Sequence, residues 1–168
     1  SCKDASSSSG FASTVSDFIE VPEYGCFIDQ RSEKYDHREK CIDRIWSIGG
    51  KTGWYYGNWL WKIRGYMDKL VGGVGLRRGR TSVHTIHAGD SLDFWRVIYA
   101  DRSEGRLLMF AEMKLPGEAW LEFRIKDDKL VQTATFRPVG ILGRLYWYSV
   151  LPFHGFIFSG MLNKLAKG

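Results

Sequence analysis

Three cysteines and four histidines are few potential metal ligands for a chain of 168 residues, and they are scattered. Cys2, Cys26 and Cys41 are odd in number and widely spaced, which argues against a disulfide framework and against a zinc site. No metal and no cofactor is expected, and a reducing, cytoplasmic setting fits best. A strong excess of basic charge is missing too. The net charge is +5 and only "LRRGR" is locally basic, so nucleic acid is not an expected partner. The opening "SCKDASSSSGFASTVS" lacks the apolar stretch of a signal peptide. Residues 1–16 read as a Ser-rich flexible tail or linker remnant, and residues 17–168 as one domain. No internal repeat is present. No serine or cysteine has the surroundings of an activated nucleophile, so catalytic residues stay unassigned.

The glycines lack a nucleotide pattern. "LVGGVGLRRGR", residues 70–80, follows a helical stretch and precedes strands, whereas a dinucleotide fingerprint needs strand, loop, then helix. The third glycine of that fingerprint is absent, and so is the Gly-Lys-Ser/Thr ending of a phosphate loop. The stretch reads as a glycine helix stop leading into a basic loop. An anion on Arg77, Arg78 and Arg80 is compatible with it but not required.

What the chain has in plenty is aromatic surface: seven Trp, eight Tyr and ten Phe. Such side chains carry large apolar area and favour cores, pockets and interfaces. A first strand is expected around Cys26–Tyr35. A helix follows, with Asp36 and Glu39 in capping-box spacing and Cys41, Ile42, Ile45, Trp46 and Ile48 on one face. Gly49 and Gly50 stop it. Leu60, Ile63, Met67 and Leu70 recur at helical spacing in a second helix, which ends at Gly72 and Gly73. From Leu92 the period becomes two. "SLDFWRVIY", "RLLMFAEMKL", "AWLEFRI" and "LVQTATFRP" are four strands with short turns, hence an antiparallel meander. The last segment has helical spacing, with Leu142, Leu145, Ser149, Phe153, Phe156, Gly160 and Leu165 on a broad face and a kink expected at Pro152.

Within the strands the faces separate. Leu107, Met109, Ala111, Met113 and Leu115 alternate with Arg106, Leu108, Phe110, Glu112 and Lys114. Ala119, Leu121, Phe123 and Ile125 oppose Trp120, Glu122 and Arg124. The apolar side reads either as an ordinary core or, with its adaptable methionines, as a cavity wall. The other side reads as an exposed charge ladder of Glu112, Glu122, Arg124 and Arg96. His154, among aromatics beside Pro152, reads as a hydrogen-bonded core residue in preference to a catalytic one. "LYWYSVLPFHGFIFSGML" runs without a formal charge, but Pro, His and glycines interrupt it, so a packing helix is expected and not a membrane span. A peripheral membrane contact stays open.

The stretches "IGGKTGWYYGNWLWKIRGYMDKLVGGVGLRRGR", "GDSLDFWRV", "AEMKLPGEAWLEF", "QTATFRPVGILGRLYWY" and "PFHGFIFSGM" resemble an uncharacterised bacterial domain family. Its members often follow a short-chain-dehydrogenase-like NAD(P)-binding domain, and it is similar to the helix-grip superfamily of START, birch-pollen-allergen and polyketide-cyclase relatives. The resemblance covers roughly Phe27 to Ala166. It implies an α+β helix-grip fold: a curved antiparallel sheet wrapped around a long C-terminal helix, with two short helices after the first strand. It also implies that residues 1–16 once linked to an upstream domain. The superfamily binds apolar ligands, and only some members are catalytic, so the resemblance leaves the enzyme question open.

An apolar small molecule between sheet and helix is therefore the first expectation. Met109, Ala111, Met113, Leu121 and Phe123 are the candidate sheet wall. Tyr146, Trp147, Phe153 and Phe156 are the helix candidates, with Trp54 and Trp59 near the entrance. Arg96, Glu112 and His154 are the polar candidates. The alternatives are an enzyme or substrate-presenting subdomain working with an NAD(P)-dependent oxidoreductase on an apolar carbonyl compound, and a protein-interaction domain.

Overall fold

The computed structural model describes residues 20–49, 53–55, 57–70, 72, 82, 85–112 and 114–168, with backbone alone for 58–60 and 67. The Ser-rich start, Gly50, Gly73 with the basic residues Arg77, Arg78 and Arg80, and Met113 lie outside the described residues. Strand β1 is Phe27–Lys34, helix α1 is Arg38–Trp46 and helix α2 is Asn58–Leu70. Strands β2 (Ser91–Leu92), β3 (Trp95–Asp101), β4 (Arg106–Ala111), β5 (Gly117–Lys126) and β6 (Lys129–Pro138) follow, then helix α3, Gly140–Lys167. The strands form one antiparallel sheet in the order β1-β6-β5-β4-β3-β2. With α3 packed against β6 and β1, this is the helix-grip arrangement expected.

The meander follows from period-two patterning and tight turns. The expected strand "SLDFWRVIY" is split in two, because Asp93 takes a left-handed φ of 56° and turns the chain. Its carboxylate accepts the buried indole N–H of Trp54 at 2.9 Å, which holds that turn against the core. Strand β1 has no apolar face of its own, yet it alternates cleanly. Its inward residues meet α3 in succession. Phe27 stacks on Trp147, Asp29 meets His154, Arg31 reaches Ser159, and Glu33 accepts from Lys167.

Helix α1 buries Cys41, Ile42, Ile45 and Trp46 as its spacing predicts, with Ile48 just beyond it. Burial pushes the Cys41 thiol up to about 11. The capping box does not form. His37 is the N-cap and makes no side-chain cap bond. The Asp36 carboxylate accepts from the His37 amide at 2.7 Å and from the Arg44 guanidinium at 2.7 Å. Arg44 foremost, then that amide, hold Asp36 well below the usual carboxylate range.

Two helix faces differ from expectation. On α2, Ile63 and Leu70 point to solvent, and among the described side chains the buried positions are Trp61, Gly65 and Asp68, with Leu60 and Met67 outside that description. An indole buries more apolar area than an isoleucine, and Asp68 is accommodated because its carboxylate accepts the Lys114 amide at 2.6 Å. On α3, Leu142, Leu145, Phe153 and Phe156 face outward, while Gly143, Trp147, Phe158, Met161, Leu162, Leu165 and Ala166 are buried. The helix is apolar all round, so spacing alone gives no direction. Gly143 sets it: a Cβ there would lie 2.4 Å from the Pro116 carbonyl oxygen. The helix is continuous through Pro152.

Candidate functional site

The pairing register assembles the inner face of the sheet. Val97 lies opposite Met109, Met109 opposite Leu121, and Leu107 opposite Phe123. Met109, Leu121 and Phe123 are fully buried and Ala111 nearly so. Four of the five candidate wall residues thus share one surface, and the fifth, Met113, is outside the described residues.

Trp54 is fully buried within a set of rings the sequence reading did not bring together. Its ring centroid lies 5.3 Å from Trp61, 6.2 Å from Phe94 and 6.2 Å from Trp95. Trp61 in turn meets Phe158 of α3 edge-on at 6.0 Å. Trp59 lies in α2, with its backbone alone described. On α3, Trp147 packs between Phe27 at 5.3 Å and Phe136 at 5.8 Å. Tyr146 is half-buried beside Phe136, whereas Phe153 and Phe156 turn away from the sheet.

Three polar atoms inside this apolar region have no hydrogen-bond partner among the described residues: Trp61 Nε1, Trp95 Nε1 and Gln132 Oε1. Gln132 is fully buried on β6, and its Nε2 donates to the Phe158 carbonyl at 3.4 Å. The two indoles both contact Trp54, and Gln132 bonds the residue that Trp61 touches. A buried polar group without a partner costs about 1–3 kcal/mol. Two donors and one acceptor are thus held without partners among the described residues in a mostly apolar interior. Gln132 was legible as an inner-face position, sharing parity with Leu130, Ala134 and Phe136. Trp61 and Trp95 carried no signal beyond being tryptophan.

The three polar candidates are not together. Arg96 sits opposite Phe110, on the outer side of the sheet, and pairs with Glu112 at 2.8 and 3.1 Å. It also donates to the Gly89 carbonyl at 2.7 Å. His154 lies on the inner side, where its Nδ1 is 3.0 Å from Asp29 Oδ2 and its ring is 4.0 Å from that of Phe158. Arg31 grips the same carboxylate at 2.9 Å. Burial pushes the His154 pKa down, and Asp29 only partly opposes this. The shift favours the neutral ring, with the Asp29 carboxylate at one nitrogen, and no partner of its Nε2 is found among the described residues.

Two open clefts lie elsewhere. One, of about 580 Å³, is lined by Asp43, Trp46, Ser47, Ile86, His87 and Arg102. The other, of about 740 Å³, lies over the outer face at Gln30, Arg106, Glu122, Arg124, Thr133 and Thr135. Within it Arg106 is bonded to Glu122 at 2.8 Å. Among the described residues no three His, Cys, Asp or Glu side chains converge as a metal site. No described helix is long and apolar enough to cross a membrane.

Comparison with solved structures gives distant likenesses. Norcoclaurine synthase from Thalictrum flavum, solved with dopamine and hydroxybenzaldehyde, is 9% identical with a TM-score of 0.44, over 88% of this chain and 93% of that one. A Thermobifida fusca protein solved by NMR is 18% identical with a TM-score of 0.41, over 84% and 91%. Ara h 8.0201 is 12% identical with a TM-score of 0.39, over 84% and 98%. No curated protein matches the sequence. One family model, described as a protein of unknown function (DUF2867), matches residues 26–161.

Proposed function

The chain belongs to the DUF2867 family, and on that premise we propose that it binds an apolar small molecule between the inner face of the sheet and helices α2 and α3. One observation carries this reading. Trp61 Nε1, Trp95 Nε1 and Gln132 Oε1 are polar atoms without partners among the described residues, in an interior made mostly of aromatic and aliphatic side chains. Ligand sites have that composition: mostly apolar walls with a few polar groups that fix orientation. A carbonyl or ether oxygen accepts from the indoles, and a hydroxyl donates to Gln132. The ligand class is therefore an apolar, ring-sized compound bearing one or two oxygens. Met109, Ala111, Leu121 and Phe123 supply the sheet wall, and the domain works in the cytoplasm.

Native mass spectrometry of the purified protein, followed by organic extraction, tests this directly. The expected result is a stoichiometric apolar compound. Trp61→Phe and Gln132→Leu remove the polar atoms while keeping bulk. Each is expected to weaken binding about tenfold or more, since a lost buried hydrogen bond of about 1.5 kcal/mol is worth that much. Undiminished affinity in both variants overturns the assignment.

A second reading rests on the His154–Asp29 pair. A neutral imidazole held by a carboxylate is suited to taking a proton from a bound carbonyl compound, either here or as the compound is presented to an NAD(P)-dependent oxidoreductase partner. Exchange of a ligand α-proton with solvent, lost in His154→Gln with ligand affinity retained, is its signature. Exchange unchanged in that variant removes it.

A further inference from the structure

The outward side of α3, from Ile141 to Phe156, is hydrocarbon exposed to solvent. Leu142 is 74% exposed, Leu145 58%, Phe153 60% and Phe156 61%. Their spacing places them on one stripe. A contiguous apolar face of this kind is uncommon on a monomer and marks a surface that something covers. Of the hydroxyls on this side, Ser149 donates to the Leu145 carbonyl of its own helix at 2.7 Å, and the exposed Tyr148 lies at the edge of the stripe. The charge on this helix is of one sign. Residues 140–167 contain Arg144, Lys164 and Lys167 and no Asp or Glu. On the flank, the Arg64 guanidinium of α2 lies 6.0 Å over the Tyr146 ring.

We propose that this face of α3 rests on an anionic lipid bilayer, with the helix axis in the membrane plane. Leu142, Leu145, Phe153 and Phe156 enter the acyl boundary, and Arg64 and Arg144 meet headgroup phosphates. Charge complementarity selects this occupant. A second copy would bring two basic helices together. A stripe with few hydrogen-bonding groups gives a folded protein partner little to recognise, whereas a hydrocarbon layer under anionic headgroups, with the exposed Tyr148 at the interface, matches both features. The proposal is independent of what fills the interior.

The test is flotation of the whole chain with phosphatidylcholine vesicles, with and without phosphatidylglycerol. Binding is expected with the anionic vesicles and falls as salt rises. The double variant Phe153→Asp/Phe156→Asp is expected to lose roughly tenfold or more in partitioning. Unchanged circular dichroism and Tm show that its fold is intact. Leu142→Asp/Leu145→Asp is the second variant, should the first not fold. Three outcomes overturn the proposal: no flotation with anionic vesicles, folded variants that float like the parent, or a lipid-free dimer that the same substitutions abolish.

Discussion

The two faces of the sheet treat polar groups in opposite ways. On the outer face, charges are many and partnered: Arg96 with Glu112, Arg106 with Glu122, Arg124 with Glu104 and Arg137 with Glu118. On the inner face beneath α2 and α3, polar groups are few, and three of their atoms have no partner among the described residues. The face nearer water has satisfied itself with protein, while the face removed from water has not. This is the reverse of what stability alone would select, because an unmet hydrogen bond costs most where it is buried. The difference is that the outer face is completed by its own ion pairs, whereas the inner face keeps three polar atoms without a partner among the described residues.

The largest effect should come from cutting into the inner wall. Phe123→Ala is expected to cost about 3–5 kcal/mol in urea unfolding, because Phe123 is fully buried and a cavity would remain. Next is Glu122→Ala on the outer face. It removes the ion-pair partner of the nearly buried Arg106 and is expected to cost about 2 kcal/mol in the same assay. Gln132→Leu should behave differently from both. Without ligand, Tm is expected to hold or rise, by the equivalent of about 1 kcal/mol, because an unmet acceptor disappears. A clear loss of Tm would mean that the amide is already satisfied. Arg137→Ala removes one side of an exposed pair and is expected to cost less than about 1 kcal/mol.

The smallest effect is a slope. Burial lowers His154 from its ordinary 6.5, with Asp29 opposing and Arg31 assisting. The unfolded chain therefore binds more protons than the folded one as pH falls through and below 6.5. Stability contributed by the neutral ring is present above that pH and is lost below it. His154→Gln is expected to flatten the decline of Tm on the acid side of 6.5. An unchanged decline would assign it to other groups.

The strands were legible because tight turns and period-two patterning act locally. The faces of β4 and β5 could be read residue by residue, and Met109, Leu121 and Phe123 lie where parity put them. The helices were less legible. Ile63 and Leu70 have the right spacing for a buried face, yet Trp61 and Asp68 take it, and the amide that makes room for Asp68 lies 46 residues along the chain. For α3, hydrophobicity on every side left the direction to Gly143 and its fit against Pro116. Partner choice among polar residues was the least legible. Asp29 and His154 are separated by 125 residues, and nothing local to either names the other.

Among the described residues strand β1 pairs with β6 alone, through contacts such as Gln30 to Thr133, 103 residues apart. Its even alternation and polar character give it no local hydrophobic cluster to shelter in. During synthesis it must therefore wait as open chain until β6 has been made. Loop closure over such a span slows folding, so joining β1 to β6 and α3 is a late event, and the molecule completes itself by knitting its first strand to its last.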